Sequence, residues 1–147
     1  MAKLQLRILT SETIKVDEPV DMIVMRCVMD IMGKRTSVGD LGILPNHVPL
    51  SAVIGISPLR ILNEGTDRMI AVFGGVVEVK DNVVMIMTEK AMWPEEIDQE
   101  RARAEKKKAE EAREAIKDDI DLRSNQIAMR RALVQIEVSS YPLIGRK

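Results

Sequence analysis

The chain is short of most residues that do chemistry. It has one cysteine, Cys27, and one histidine, His47, among 147 residues. A lone cysteine excludes an internal disulfide and every metal site built on several thiolates; Cys27 reads as a small buried hydrophobe. Aromatics are as scarce, with one Phe, one Trp and one Tyr. The core is therefore expected to be aliphatic, its gaps filled by some of the ten methionines. Charge of one sign is missing too: 22 basic against 23 acidic side chains leave a net of −1, which gives no electrostatic footprint for nucleic acid. Long apolar runs are absent. The longest, residues 20–32, contains Asp21, Arg26 and Asp30 and is too short to span a bilayer. Lys3 and Arg7 interrupt the N-terminal apolar residues, which speaks against a signal peptide. The expectation is a soluble protein that reaches any membrane only through a partner.

What is present divides at about residue 90. Residues 1–90 read as strands. Leu4, Leu6 and Ile8 alternate with Gln5 and Arg7, the pattern of a half-buried strand. Residues 20–28 are β-branched and Met-rich. Leu59 and Ile61 alternate up to the turn NEGTD at residues 63–67, and KDN at residues 80–82 turns the chain again into residues 83–87. Short strands between Gly, Asn and Asp turns predict an all-β domain, an antiparallel sandwich or barrel. Gly74-Gly75 precedes a strand rather than a helix, so it predicts a bulge or a close backbone approach instead of a phosphate loop.

Residues 91–147 predict a helical hairpin. From Glu95 no Gly or Pro occurs until Pro142. Acid–base pairs recur at i, i+3, from Asp98–Arg101 to Glu114–Lys117, each adding a few tenths of a kcal/mol to an exposed helix. The first helix has a thin stripe, Ala102, Ala109, Ala112 and Ile116; the second, over residues 119–138, has one row of Leu122, Met129, Leu133 and Ile136 and another of Ile127, Val134 and Val138. Asp118 is the expected N-cap of the second helix. No Gly or Pro marks the break, so hairpin and single long helix both remain open. Residues 91–121 carry seven Lys/Arg and eleven Asp/Glu, and residues 122–147 five and one. The helices should attract when folded together; opened, the second offers Arg123, Arg130 and Arg131 to an acidic partner.

Residues 39–50, GDLGILPNHVPL, hold two glycines, two prolines and the histidine. His47 has no Ser, Cys or second His beside it in this loop, so no catalytic constellation forms there, and one His is a poor metal site. Turn chemistry is the better reading. This motif, with FGGVVEVKDNVVMIMTEKA (residues 73–91) and IDQERARAEKKKAEEA (residues 97–112), resembles the epsilon subunit of the F-type ATP synthase nearly end to end. The resemblance implies a β-sandwich followed by a helical hairpin. It implies a non-catalytic rotor subunit of a proton- or sodium-translocating motor, whose sandwich sits at the foot of the central stalk against gamma and the c ring. The hairpin would rise along gamma toward the alpha–beta hexamer and block ATP hydrolysis. Location would be peripheral, on the cytoplasmic face of the bacterial plasma membrane, with the membrane met only through the c ring. By the same match Asp40 and His47 are c-ring contacts, and Arg123, Arg130 and Arg131 face the hexamer. His47 bonded to loop backbone is the structural alternative.

No cofactor is required by the resemblance, but some bacterial members clasp a regulatory ATP with the motif Ile/Leu-Asp-x-x-Arg-Ala. Ile97, Asp98, Arg101 and Ala102 match it, and Arg131 stands where such members place another arginine. Met92 replaces a glutamate, and Lys108 and Gln135 replace arginines. A helix-start ion pair between Asp98 and Arg101 is the bland alternative. The family's turn is also shorter than residues 28–38 here, which read as an extended hairpin with Gly33-Lys34 near its tip.

Overall fold

The structure, a computed structural model, describes residues 2–31 and 34–141, without the side chains of residues 27–38. Eight strands come first: β1 (Leu4–Leu9), β2 (Ile14–Val20), β3 (Met22–Ile31), β4 (Lys34–Ile43), β5 (Leu50–Asn63), β6 (Thr66–Lys80), β7 (Val83–Met87) and β8 (Ala91–Met92). They pair in the order β2-β1-β7-β6-β5-β3-β4, with β8 on β6. β5 and β6, of 14 and 15 residues, let the sheet fold on itself as a sandwich. The core is aliphatic, as the composition requires: Leu4, Leu6, Ile8, Ile23, Ile61, Ile70 and Ile86 are all 0% exposed.

One pairing departs from the antiparallel reading. β1 runs parallel to β7, from Gln5↔Val83 to Leu9↔Met87. Most of the domain lies between these strands, so no tight turn forces them antiparallel. The two predicted turns are two-residue hairpins. Glu64 (φ 50) and Gly65 (φ 79) sit between Asn63 and Thr66, and Asp81 (φ 51) and Asn82 (φ 62) between Lys80 and Val83, the backbone that matches strand twist. At Gly74-Gly75 the β5–β6 register runs on unbroken, from Ile54↔Gly75 to Ile56↔Phe73, so this is close approach rather than a bulge. A Cβ on Gly75 would lie 2.0 Å from the Met87 carbonyl oxygen. The extended hairpin is a β3–β4 ladder down to Ile31↔Lys34. Its tip, and the side chain expected of Cys27 to be buried, lie outside the described residues.

The sheet continues past Lys90. Ala91 is buried in the main core and Trp93 packs on it. A 3₁₀ turn, Pro94–Glu96, follows. There the Glu96 carboxylate accepts from Trp93 N–H at 3.0 Å and pairs with Lys15 Nζ at 2.6 Å. Burial pushes the Glu96 carboxyl up, but Lys15 and the Trp93 amide outweigh it and hold it below its ordinary value.

Two helices complete the chain, α1 (Gln99–Arg113) and α2 (Asp119–Ser139). Asp118 caps α2 by accepting from Ile120 N–H at 2.8 Å, and the pair folds as a hairpin rather than one long helix. The ion pairs seen along α1 are Arg101–Glu105 and Lys106–Glu110, spaced i, i+4 rather than i, i+3. Ala102, Ala109 and Ala132 are buried, and side chains this small let the helices approach closely. Ala112 is exposed, so the predicted α1 stripe ends early. On α2 only Val134 and Val138 of the two predicted rows are buried; Ile127 and Leu133 are 45% and 43% exposed. The reason is geometric. Val134 and Val138 face the sheet and join Met69, Ala71 and Phe73 in a second core; Leu133, one residue away, falls on another face, and Ile127 borders a groove beside Phe73 and Gly74 without being covered.

That end of α2 also carries a polar clasp. Tyr141 O–H donates to Asp67 Oδ2 at 2.9 Å, and Arg60 Nη2 reaches the same oxygen at 2.6 Å. Burial raises the Asp67 carboxyl, but Arg60 and Tyr141 outweigh it and leave it below its ordinary value. Burial and the Asp67 bond raise the Tyr141 hydroxyl.

Candidate functional site

Between the hairpin and the sheet at mid-β6 and β8 lies an open cleft of about 580 Å³, within the range of small-molecule sites. The chain reaches it from three sides. α1 gives Asp98, Arg101, Glu105, Lys108, Ala109 and Ala112; α2 gives Asn125, Ala128, Arg131 and Gln135. The floor is Phe73, Lys90, Met92 and Glu96. Its lining holds four cations, Lys90, Arg101, Lys108 and Arg131, together with the apolar Phe73, Met92, Ala109, Ala112 and Ala128.

Of the five residues matched to a nucleotide motif, the fold brings Asp98, Arg101 and Arg131 into this cleft. Ile97 packs instead against the second core, and Ala102 is buried. Asp98 and Arg101 do not form a helix-start ion pair. Asp98 is the N-cap of α1, its Oδ1 accepting from the Arg101 backbone N–H at 3.1 Å, and the Arg101 guanidinium turns to Glu105 at 3.2 Å. A carboxylate has further lone pairs after one capping bond, so Asp98 retains acceptor capacity. Arg131 lies 4.9 Å from the Phe73 ring centre and 3.7 Å from Glu89. Gln135 donates to the Arg131 carbonyl of its own helix at 3.0 Å. Asn125 ties the helices together by donating to the Ala109 carbonyl at 2.9 Å.

Phe73, Lys90, Glu89 and Asn125 escape sequence reasoning, since nothing in their spacing links them to α1. Phe73 alone carried a signal, as the chain's only phenylalanine. The Asp67–Tyr141 clasp escapes for the same reason: Asp67 reads as a turn residue.

The residues expected at partner surfaces lie apart from the cleft. Asp40 pairs across the β3–β4 ladder with Arg26 at 3.5 Å, its side chain 60% exposed. His47 is half-buried, its Nδ1 2.6 Å from the Val48 carbonyl. The loop is pinned at Asn46 (φ 65), whose N–H donates to Asn82 Oδ1 at 2.5 Å. Leu44 and Val48 stand out from it, 55% and 70% exposed. Arg123 and Arg130 are exposed on α2, whereas Arg131 is turned into the cleft. A second apolar surface crosses five strands in register, Val53–Val76–Met87–Leu9–Ile14; Val53, Val76, Met87 and Ile14 are each at least 40% exposed. Among the described residues no cluster of three or more His, Cys, Asp or Glu could hold a metal, and no helix is long and apolar enough to cross a membrane.

Residues 3–94 match the family of the ATP synthase delta/epsilon chain beta-sandwich domain, and residues 95–140 that of its long alpha-helix domain. The ATP synthase epsilon chain of Caldicellulosiruptor bescii is 35% identical over 139 residues, 95% of each chain. That of Bacillus licheniformis is 36% identical over 111 residues, covering 76% of this chain and 85% of its own. A chain in the cryo-EM structure of the Euglena gracilis mitochondrial ATP synthase superposes with a TM-score of 0.77 over 96% of this chain and 83% of its own. At 24% identity that likeness speaks for the fold alone. Two family matches that together run from residue 3 to residue 140, and a bacterial relative aligned over almost its whole length, lead to one conclusion: the chain belongs to the epsilon chain family of the F-type ATP synthase.

Proposed function

We propose that the chain is a non-catalytic subunit of the rotor. In this reading it couples gamma to the c ring and restrains ATP hydrolysis by raising its hairpin toward the alpha–beta hexamer. Its place would be peripheral, on the cytoplasmic face, with the membrane met only through the ring. The observation that carries the reading is the one-ended docking of the hairpin. Val134, Val138 and Tyr141 hold it to the sheet, while the α1–α2 turn overhangs. Two buried valines contribute about 1.5–3 kcal/mol each and a charge-assisted hydrogen bond about 1.5–3 kcal/mol, less the cost of ordering the arm. The remainder falls in the range that a partner can overcome. The apolar row across β5, β6, β7, β1 and β2 suits a gamma helix, and the loop bearing Leu44, His47 and Val48, with Asp40 beside it, suits the polar loops of the ring. Arg123 and Arg130 suit an acidic surface of the hexamer.

We place the cut between body and arm after Glu96, because β8 pairs with β6 and Glu96 bonds to Lys15 of β2 and to the Trp93 amide. Truncation after Glu96 is therefore the test. The truncated chain should still assemble, and the ATP hydrolysis of the complex should rise several-fold. Unchanged hydrolysis in a complex that retains the truncated chain would remove the inhibitory role.

A second reading, favoured by the cleft, is that the docked hairpin senses ATP. The residues fit in part. Arg101, Arg131 and Lys108 would meet phosphates, Asp98 would accept from a base amine, and Met92 and the cleft alanines offer apolar surface. Two features weaken the fit: Met92 supplies no carboxylate, and Gln135 is turned to its own backbone. Glu96 lines the cleft and also holds the Trp93 amide, so occupancy should reach the only tryptophan. ATP titration is expected to change Trp93 fluorescence saturably. A flat response together with no calorimetric heat would dismiss the sensor.

A further inference from the structure

Both arginines of the cleft already face a carboxylate of this chain. Arg101 Nε lies 3.2 Å from Glu105 Oε1, one turn along α1. Arg131 Nη1 lies 3.7 Å from Glu89 Oε2, on the connection between β7 and β8. Glu105 lines the cleft itself, and Glu89 lines the adjoining groove together with Arg131. The Phe73 ring holds the Arg131 guanidinium in place, so Glu89 meets a positioned cation rather than a swinging one.

We propose that Glu105 and Glu89 are built-in competitors for the cleft's anionic ligand and set the concentration at which it binds. The inference rests on the nucleotide reading above and adds residues to it. Each carboxylate occupies one edge of its arginine and offsets its charge, so a phosphate that takes the remaining donors gains less than it would from an unpaired guanidinium. Each glutamate also adds like charge beside the bound polyphosphate. The consequence is a site tuned to weak binding, whose arginines are in place yet neutralised when empty.

Both side chains are well exposed, 47% for Glu105 and 70% for Glu89, so glutamine replacements will fold. The test is calorimetric titration of the full chain with ATP and, separately, inorganic tripolyphosphate. Pairs this exposed are weak, so E105Q and E89Q are each expected to tighten binding about threefold, and the double variant about tenfold. Both ligands should respond alike, since the arginines meet phosphates. Glu100 on α1 does not line the cleft, and E100Q makes the same change in net charge, so it should leave affinity unchanged. The melting midpoint without ligand should not move, which separates ligand competition from a change in hairpin docking. Equal affinity in the wild type and the double variant would overturn the competitor role while leaving the nucleotide site standing. An equal gain in E100Q would also overturn it, reducing the effect to net charge. No binding by any of the chains would remove the site and its competitors together.

Discussion

Val138→Asp is expected to detach the hairpin from the sheet while leaving the sandwich folded. Val138 is 0% exposed in the small second core, beside Val134, Met69, Ala71 and Phe73. Aspartate there loses the valine burial, about 1.5–3 kcal/mol. It also places a carboxylate among apolar side chains, where an unpaired buried charge costs about 3–5 kcal/mol. The clasp cation Arg60 is already bound to Asp67, so it is not a free partner for the new charge. Besides this patch the arm has the Tyr141 clasp and the contacts of Arg131 with Phe73 and the exposed Glu89, so losing the patch removes most of the apolar burial that docks it. Hydrogen exchange measures the outcome. Amides of the C-terminal half of α2 should exchange about 10²–10³-fold faster, and those of β1, β5 and β7 should keep their rates. The cleft draws its floor from the sheet and its walls from the helices, so on the sensor reading any ATP affinity should fall with docking. Unchanged protection in α2 would mean that the arm is fixed by more than this patch.

How much of this was legible in the sequence depends on whether each feature is local. β1 is: Leu4, Leu6 and Ile8 announce a half-buried strand by period alone, and all three are fully buried. The turns at residues 64–65 and 81–82 are local too, because they need residues that tolerate positive φ. The cap at Asp118 is set by its own neighbours. The parallel β1–β7 pair is not local. Both strands show the same alternation whichever way the partner runs, and only closure of the sandwich decides it.

The helices show the same limit. A 3.6-residue period says which residues share a face, but not how far along the helix a neighbour covers it. Ile127 lies on the same face as Val134 and Val138, yet it only borders a groove beside Phe73 and Gly74 and stays 45% exposed. The cleft follows suit. Asp98 and Arg101 can be placed at a helix start from sequence, and Arg131 on a second helix. Their meeting depends on the hairpin folding down onto β6, a choice that a sequence without a break signal leaves open. Phe73, Lys90 and Glu89 enter only because the sheet supplies the floor, and Tyr141 meets Asp67 across 74 residues of chain.

Gly75→Ala should be the most damaging single methyl in the body of the protein. Gly75 has φ +134, a conformation that L side chains rarely adopt, and its added Cβ would sit 2.0 Å from the Met87 carbonyl oxygen and 3.0 Å from its carbon. These are backbone atoms, so no rotamer change relieves the contact. At this point β6 changes partner, pairing with β7 from Val76↔Met87 onward and with β8 at Ala71 and Val72. Moving Met87 away breaks the first rung of the β6–β7 ladder and disturbs the Thr88 N–H to Leu9 carbonyl bond at 3.0 Å. Backbone strain costs about 1–3 kcal/mol, and overpacking about 1–3 kcal/mol more. Each kcal/mol lowers the melting midpoint of a domain this size by about 4–8 °C, so a fall on the order of 10–30 °C is expected in thermal denaturation. Gly65→Ala isolates the cause. Gly65 also has positive φ, +79, but a Cβ there meets nothing within 4 Å. That variant should lose only the strain, about 1–2 kcal/mol. Comparable losses at the two positions would assign the damage to backbone conformation alone and deny the close approach of β6 to Met87 any part in holding the sandwich together.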